Sequence, residues 1–292
     1  MKSNGRDRES TGVIELAAHC GFCFGVQRAI AMTEQTLAGG ERVYSLGPVI
    51  HNPQEIARLE RLGLRVISSV DDAEGGLLIV RSHGLSPATA EAARARGLGL
   101  VDATCPLVKR AQSLAQKLHE ERYSVVVVGD ADHPEVQAIL GHAPGATVVG
   151  SEGELEPLVG LARVGVVSQT TQSPEWFRRV TAELARRSTG QELRLFNTIC
   201  MATVDRQSAA MELALRVDVM FVLGGRNSAN TRELARLCEK TGVPTHHLET
   251  ADELAPDMLA GRTRVGVAAG ASTPQWVIQQ FIDRAKSLDA GG

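Results

Sequence analysis

Short apolar runs alternate with amphipathic stretches along most of the chain. The clearest runs end in small polar residues, which is typical of a buried strand that leads into a loop. They lie at residues 43–52, 77–84, 125–134, 164–171, 220–230 and 265–274. Stretches with helical spacing separate them, such as 108–121 and 174–187. This alternation predicts an α/β protein with parallel sheets.

Three cysteines divide this pattern into thirds. Cys23, Cys105 and Cys200 each precede a helical stretch, and each third of the chain carries two of the strand-end loops. We therefore expect three small α/β domains with mostly parallel sheets, in a pseudo-threefold arrangement around a common centre. The predicted domain boundaries are 13–103, 104–198 and 199–288.

Composition and charge narrow the class of protein. Hydrophobic residues make up 43% and charged residues 22% of the chain, as in an ordinary globular protein. The formal net charge of -3 argues against a nucleic-acid partner, which would need a basic surface. No apolar run reaches the roughly 20 residues that span a bilayer. The polar start at 1–11 is no secretory signal, so we expect a cytoplasmic protein, or an organellar one if an upstream segment has been removed, without a membrane partner.

The three cysteines suggest a metal centre. A thiol at a helix N-terminus should ionise readily, and three converging thiolates suit a soft metal. A cluster of four irons usually has four cysteine ligands, so three would leave one iron open to a substrate or water. A single cysteine before a helix is more often a packing residue, and the residues alone leave that interpretation open. We expect packing roles for Cys20 and Cys238.

The strand-end loops carry a second set of chemical groups. Ligands of parallel α/β sheets bind beyond the carboxyl ends of the strands. Small hydroxyl and amide side chains at helix N-termini can bind phosphate, and histidines add cationic hydrogen bonds. An acid at 135 is placed to transfer protons. The set predicts proton-coupled electron transfer on a small phosphorylated substrate, and it comprises His51, His83, His133, Glu135, Thr170, Ser228, Asn230 and Ser272.

Nine motifs occur in the order that one known family shows. They are GFCFGVQRA around Cys23, VIHN at His51, SHG at His83, DATCPLV at Cys105, HPE at 133–135, SQTT at 168–171, the IC...RQ segment at Cys200, NSAN at 227–230 and GAS-x-P at 270–274. Together they resemble the LytB/IspH family of 4-hydroxy-3-methylbut-2-enyl diphosphate reductases. The resemblance extends over residues 13–285.

The resemblance implies a monomer of three α/β domains with one central 4Fe-4S cluster. Three cysteine ligands, Cys23, Cys105 and Cys200, would leave one iron open. The implied reaction is the last step of the non-mevalonate isoprenoid pathway. Two electrons and two protons remove the allylic hydroxyl of the diphosphate substrate as water, and isopentenyl and dimethylallyl diphosphates form. Reduced ferredoxin or flavodoxin is the implied electron donor.

The resemblance also implies roles for the strand-end residues. Glu135 would deliver protons, and Thr170 would orient the substrate hydroxyl and relay protons. His133 is predicted to be catalytic together with these two residues. The implied ligands of the diphosphate are His51, His83, His133, Ser228, Asn230 and Ser272.

The chain departs from the family pattern at two places. Ala229 stands where the family usually has a second serine, so one phosphate-contacting hydroxyl is missing. Val204 and Asp205 replace a frequent Thr-Asn pair. Losing one hydrogen bond to a charged group costs about 1.5–3 kcal/mol, which would weaken binding without changing the reaction.

Two other functions remain open at this stage. A hydro-lyase would use the open iron as a Lewis acid and would turn over without a reductant. A non-catalytic redox sensor would keep the fold and the cluster but would not need the acid Glu135. The complete set of acid and histidines argues against the sensor.

Overall fold

The computed structural model describes residues 13–151, 153–154, 161–187, 190 and 192–290. Within them the chain forms twelve strands and ten α-helices. The strands are β1 (Val13–Leu16), β2 (Val43–Leu46), β3 (Leu64–Ile67), β4 (Gly76–Val80), β5 (Leu98–Asp102), β6 (Ser124–Val128), β7 (Thr147–Val149), β8 (Arg163–Ser168), β9 (Glu192–Leu195), β10 (Val219–Leu223), β11 (Thr245–Leu248) and β12 (Arg264–Ala269). None of the described helices combines the length and apolar character that a membrane crossing requires.

The helices alternate with these strands. They are α1 (Phe24–Leu37), α2 (Pro53–Arg61), α3 (Pro87–Ala95), α4 (Pro106–Glu120), α5 (Pro134–His142), α6 (Pro174–Arg187), α7 (Met201–Ala214), α8 (Ala229–Glu239), α9 (Pro256–Leu259) and α10 (Gln275–Ala290). Several begin with proline, which fits the first turn because its missing N–H would have no partner there.

The strands form three four-stranded sheets in which all neighbours are parallel. Their strand orders are β3-β2-β4-β5, β7-β6-β8-β9 and β1-β12-β10-β11. The predicted fold class of three parallel-sheet α/β domains is therefore confirmed. In contacts the chain divides into two compact units. Residues 23–204 contain the first two sheets, and residues 13–22 with 205–290 contain the third.

The first strand departs from the predicted domain organisation. The prediction included residues 13–22 in the first domain, 13–103. Instead β1 pairs with β12, with Val13 opposite Arg264 and Leu16 opposite Val267. The N-terminal strand therefore belongs to the sheet of the last domain. Nothing in the short run VIEL indicates a partner at the other end of the chain.

The N-cap residues of four helices include two standard residue types and two cysteines. Asn52 caps α2 by accepting a hydrogen bond from Glu55 N, and Ser86 caps α3 in the same way. These are standard N-cap residues. Cys23 and Cys105 occupy the cap positions of α1 and α4 without making a side-chain cap bond. Two helices therefore begin with thiols in place of the preferred hydroxyl or carboxylate groups.

Candidate functional site

The three predicted ligand cysteines come together within the unit of residues 23–204. Cys23 and Cys105 directly precede α1 and α4. The carbonyl of Cys200 accepts hydrogen bonds from the first turn of α7. Cys23 and Cys200 both lie close enough to Cys105 to raise the pKa of its thiol, so Cys105 neighbours each of the other two cysteines.

Gly25 shows how closely α1 approaches Cys105. A Cβ atom placed on Gly25 would lie 2.6 Å from Cys105 Sγ. A side chain of any size at this position would therefore displace the sulfur. Arg28, one turn further along α1, donates hydrogen bonds to the carbonyl oxygens of Thr104 (3.1 Å) and Asp102 (3.3 Å). These bonds hold the start of α1 against the end of β5.

The ionisation of Cys105 differs from the expectation for a helix N-terminus. Burial raises the pKa of the Cys105 thiol, and the neighbouring thiols of Cys23 and Cys200 add to this effect. The backbone N–H groups of Leu107 and Val108 lower the pKa, as predicted, but they do not compensate for burial. A bound cationic metal would supply the missing stabilisation of the thiolate.

Backbone hydrogen bonds connect Cys105 to two of the predicted histidine loops. Cys105 N donates to the carbonyl of Ser82, 3.0 Å away. Ser82 in turn donates from both its N–H and its hydroxyl to the carbonyl of Val49. The loop that carries His83 is thereby held between the cysteine and the loop that carries His51.

A second set of hydrogen bonds connects Cys200 to the predicted acid. Cys200 N donates to the carbonyl of Thr170 at 2.8 Å. The N–H and the hydroxyl of Thr170 donate to the two carboxylate oxygens of Glu135, at 2.6 and 2.7 Å. A single residue, Thr170, therefore separates the carboxyl group from the backbone of a predicted metal ligand.

Glu135 is a buried acid, with only 2% of its surface exposed. Burial raises the pKa of its carboxyl group to about 7, although the two hydrogen bonds from Thr170 oppose this shift. Near neutral pH the group can therefore both hold and release a proton, as a general acid requires. Its position in the first turn of α5 follows from the cap residue His133 and Pro134.

His51, His83 and His133 form one compact cluster. Their ring centroids are 4.3 Å apart for His51 and His83, 5.3 Å for His51 and His133, and 5.5 Å for His83 and His133. One ring nitrogen from each lies within 4.8 Å of the others. The three loops that follow β2, β4 and β6 thus meet, as the rule for the carboxyl ends of parallel strands predicts.

Two features favour an anion over a metal ion in this histidine cluster. Glu135 N donates to His133 Nδ1 at 3.2 Å, so a neutral His133 carries its proton on Nε2. That nitrogen is then a hydrogen-bond donor and not a metal ligand. Arg81, which lies close enough to affect His83, adds a cation that would repel a metal ion.

Within the histidine cluster, His83 is less readily charged than the sequence suggested. Burial lowers the pKa of His83 well below its usual value, and His51, His133 and Arg81 lower it further. His83 is therefore neutral at pH 7, and its buried Nδ1 has no hydrogen-bond partner within the described structure. An anion beside it would favour the charged form.

The remaining predicted residues lie in the unit that contains β10 and β12. Ser228 caps α8 through a hydrogen bond from Thr231 N, Asn230 lies in the first turn of that helix, and Ser272 follows β12. All three are buried. Both polar atoms of the Asn230 amide are buried without a hydrogen-bond partner among the described residues, which is unusual in the absence of a ligand.

The family profile described as LytB protein matches residues 14–286, which is most of the chain. The chain belongs to the LytB family.

Individual relatives agree with this family assignment. A 4-hydroxy-3-methylbut-2-enyl diphosphate reductase of Geobacter metallireducens is 48% identical over 278 residues, covering 95% of this chain and 98% of the relative. The reductase of Aquifex aeolicus is 44% identical over 283 residues, covering 95% and 97% of the two chains.

Solved structures of this family have the same fold. A structure described as (E)-4-hydroxy-3-methyl-but-2-enyl diphosphate reductase, the terminal enzyme of the non-mevalonate pathway, matches with a TM-score of 0.71 at 43% identity and covers 94% of this chain and 99% of its own. The Plasmodium falciparum E-1-hydroxy-2-methyl-but-2-enyl-4-diphosphate reductase matches with a TM-score of 0.87 at 28% identity, covering 94% and 87%.

The structure also brings in residues outside the predicted site. Ser82 connects two site loops to Cys105, and its place in the SHG motif was a usable signal. Arg81 is half-buried beside this site, its Nε atom has no partner within the described structure, and burial lowers its pKa. Arg226, which follows β10, forms an ion pair with Glu253. Cys238 is buried and packs in a hydrophobic cluster, and Cys20 packs against the same cluster.

Proposed function

We propose that this chain reduces 4-hydroxy-3-methylbut-2-enyl diphosphate, the substrate in the names of its LytB relatives, and that the products are isopentenyl and dimethylallyl diphosphates, as the resemblance implies. One observation carries the proposal. A carboxyl group with a pKa of about 7, Glu135, is joined through Thr170 alone to the predicted metal ligand Cys200. A proton source beside a redox centre is what a reductive loss of water requires.

The three cysteines fit a cluster better than a single ion. Three thiolates around one zinc-sized ion would have sulfurs about 4 Å apart. Within the described residues, ligand atoms within 4.8 Å of one another belong to the histidine cluster and not to the three cysteines. We propose that Cys23, Cys105 and Cys200 hold one 4Fe-4S cluster with one open iron. When bound, it supplies electrons and an open coordination position.

The histidine cluster is proposed to bind the diphosphate. His133 offers Nε2–H as a donor, and His83 gains a proton when an anion lies beside it. His51 completes the cluster. Ser228, Asn230 and Ser272 are proposed as further diphosphate ligands because their motifs resemble those of the family. The partnerless amide of Asn230 supports its role.

Thr170 and Glu135 are proposed to supply a proton to the departing hydroxyl. When Glu135 is protonated, its O–H can donate to Thr170 Oγ1, and the threonine hydroxyl can then donate to the substrate. The substrate takes up two electrons and two protons, its C–O bond breaks, a C–H bond forms, and one water leaves. A balanced step therefore needs a reductant as well as the acid.

The departure at Ala229 removes one hydroxyl from the start of α8 but leaves the backbone donors of that helix in place. Ser228 caps α8, and Ala229 is the first residue of that helix. The backbone N–H groups of the first turn remain available to an anion. We expect weaker substrate binding, by about 1.5–3 kcal/mol for one hydrogen bond to a charged group, with an unchanged reaction.

Anaerobic turnover tests the proposal. The chain with its cluster reconstituted is incubated with the allylic diphosphate and reduced methyl viologen, and dye oxidation is followed. We expect oxidation that depends on substrate and falls by 10²-fold or more in Glu135→Gln. No oxidation with a fully loaded cluster would overturn the proposal. Product formation without any reductant would favour a hydro-lyase, and a cluster protein indifferent to Glu135→Gln would favour a sensor.

Two further proposals concern the electron donor and the oligomeric state of the chain. We infer that a reduced ferredoxin or flavodoxin is the physiological electron donor, as the resemblance to the family implies. We also infer that the chain acts as a monomer. Sedimentation of the loaded protein at micromolar concentration checks the second inference, and a concentration-dependent increase in mass would contradict it.

A further inference from the structure

Arg81 reaches from the loop that carries His83 to the loop that carries His51. It directly follows β4, and Gly84 N donates to its carbonyl at 3.0 Å, so Arg81 and His83 share one tight turn. A Cβ atom placed on Gly47 would lie 2.8 Å from Arg81 Nη1. Gly47 directly follows β2, four residues before His51, and its φ of +71° favours glycine. The guanidinium group therefore lies against the start of the His51 loop.

The guanidinium group of Arg81 has no counter-ion among the described residues. Its Nε atom is buried without a hydrogen-bond partner there, and no described carboxylate lies close enough to raise the pKa that burial lowers. Arg58 is also half-buried, but it pairs with both Glu34 and Glu55. Taking a cation out of water without a counter-charge costs free energy. The unpaired charge of Arg81 therefore indicates that its counter-ion is a bound anion.

A second polar group against the same turn also lacks a partner. Gln112 is only 6% exposed, and its Nε2 atom has no hydrogen-bond acceptor within the part of the chain that the structure describes. A Cβ atom on Gly84 would collide with this nitrogen, so the amide lies directly against the turn of Arg81 and His83. Buried donors without an acceptor are rare in proteins. Two unpartnered donors thus adjoin one turn, which favours an anion there and not a metal ion.

We propose that Arg81 is a further ligand of the substrate's diphosphate and makes the site selective for diphosphate over a single phosphate. This inference rests on the proposed function, because it concerns the same diphosphate. A guanidinium group keeps its charge at neutral pH and can donate to two phosphate oxygens at once. Arg81 thus supplies a fixed charge beside His83, which is neutral in the free protein. A diphosphate carries more charge and more oxygens than a phosphate, so it gains more from this added cation.

Calorimetry with pyrophosphate and with phosphate tests this role on the anaerobic, cluster-loaded protein. Arg81→Gln removes the charge, Arg81→Lys keeps it without the planar fork, and Arg65→Gln removes the same charge at an exposed position of β3. We expect Arg81→Gln to raise the dissociation constant for pyrophosphate about tenfold or more, and that for phosphate by less. Arg81→Lys should recover part of the loss. Arg65→Gln should bind both anions like the wild type.

Turnover with the allylic diphosphate and reduced methyl viologen separates a ligand from a merely structural residue. In Arg81→Gln the KM should rise about tenfold, whereas kcat and the iron content per chain should stay within about twofold of the wild type. A loss of kcat or of iron with an unchanged dissociation constant for pyrophosphate would show a structural role and overturn the proposal. Equal affinities for pyrophosphate in the wild type and Arg81→Gln, or equal losses in Arg81→Gln and Arg65→Gln, would overturn it as well.

The proposed function and the role of Arg81 can fail separately. No dye oxidation by the wild type would defeat the proposed function, while a pyrophosphate affinity that falls in Arg81→Gln and not in Arg65→Gln would still support Arg81 as an anion ligand. A wild type that turns over but binds no pyrophosphate, with an unchanged KM in Arg81→Gln, would overturn the ligand role and leave the reaction intact.

Discussion

At the scale of single residues, the buried Glu135 carboxyl determines how stability should depend on pH. The pKa of this carboxyl is about 7 in the folded chain and 4.5 for an unperturbed glutamate, so between these values only the folded state holds the proton. Stability from this group is therefore complete below about pH 4.5 and is lost as the pH rises through 7. The loss corresponds to about 3 kcal/mol, at 1.36 kcal/mol for each pKa unit.

Replacing Glu135 with Gln should remove this pH dependence. Between pH 5 and pH 8, we expect the free energy of unfolding of the wild type to fall by about 2.5 kcal/mol more than that of Glu135→Gln. Anaerobic urea unfolding of both proteins at the two pH values measures the difference. Glu60→Gln, at an exposed position of α2, should behave like the wild type. Parallel pH profiles for wild type and Glu135→Gln would contradict the burial argument.

His83 should take up a proton when an anion binds. Its pKa lies well below the usual value in the free protein, and a diphosphate beside it would raise that pKa. Calorimetry with inorganic pyrophosphate, in buffers of different ionisation enthalpy, measures this uptake near pH 6. We expect His83→Gln to bind more weakly and to take up fewer protons, by up to about one for each anion.

His142 supplies the control for that measurement. Burial also lowers its pKa, but it lies at the end of α5, outside the histidine cluster. His142→Gln should therefore keep the proton uptake of the wild type. An unchanged uptake in His83→Gln would show that another group titrates on binding.

The sequence predicted which residues lie at the site better than it predicted their charge states. The positions of Glu135 and the three histidines followed from strand ends and motifs. The pKa of Cys105 was expected to be low and is instead raised, because burial outweighs the N–H groups of its helix. Burial depends on packing from distant segments, which a local pattern does not reveal. The roles of the site residues stay predictions until variants are assayed.

At the scale of elements, α1 approaches Cys105 so closely that a side chain at position 25 would displace the cysteine sulfur. At an ordinary helix position, replacing glycine with alanine stabilises the helix by about 1 kcal/mol. Here the added Cβ would lie 2.6 Å from Cys105 Sγ and 3.2 Å from its Cβ. We expect Gly25→Ala to fold but to bind the cluster about tenfold or more weakly, as changes next to metal ligands commonly do.

Iron and acid-labile sulfide per chain, after anaerobic reconstitution with limiting iron, measure this effect. Gly153→Ala is the matched control, because a Cβ at Gly153 meets nothing within 4 Å. The control should load like the wild type. Full loading of Gly25→Ala would show that the sulfur can move without loss, and the close approach would then have no role in cluster binding.

The six strands that the sequence indicated most clearly are the central strands of the three sheets. They are β2 and β4, β6 and β8, and β10 and β12. Central strands of parallel sheets are covered on both faces and appear as continuous apolar runs. The edge strands are shorter or mixed in polarity, as in LRVI, ELRL and THHL, and give no such signal. The predicted substrate residues follow central strands, which is why a sequence pattern could find them.

At the scale of the whole molecule, the third sheet needs both ends of the chain. Its edge strand β1 pairs with β12 across almost the full length of the sequence, with Ile14 opposite Val265. Pairing between such distant segments must overcome a large loop-closure entropy. The local pattern of apolar residues gives no indication of it. The predicted partition therefore failed at residues 13–22, although the alternation of strands and helices gave the fold class.

Substitutions on the two faces of β1 test how much this strand stabilises the third sheet. Ile14 packs against the hydrophobic cluster that contains Phe221 and Phe281, whereas Val13 is 66% exposed. Ile14→Ala should reduce the free energy of unfolding by about 2 kcal/mol, because it removes buried methyl groups. Val13→Ala makes a similar change in β-propensity one residue away. It should reduce the free energy of unfolding by less than about 0.5 kcal/mol. Urea unfolding of both variants measures the difference. Equal effects would mean that β1 contributes only its backbone pairing, whereas a large effect confined to Ile14 would show that the N-terminal strand completes the core of the last sheet.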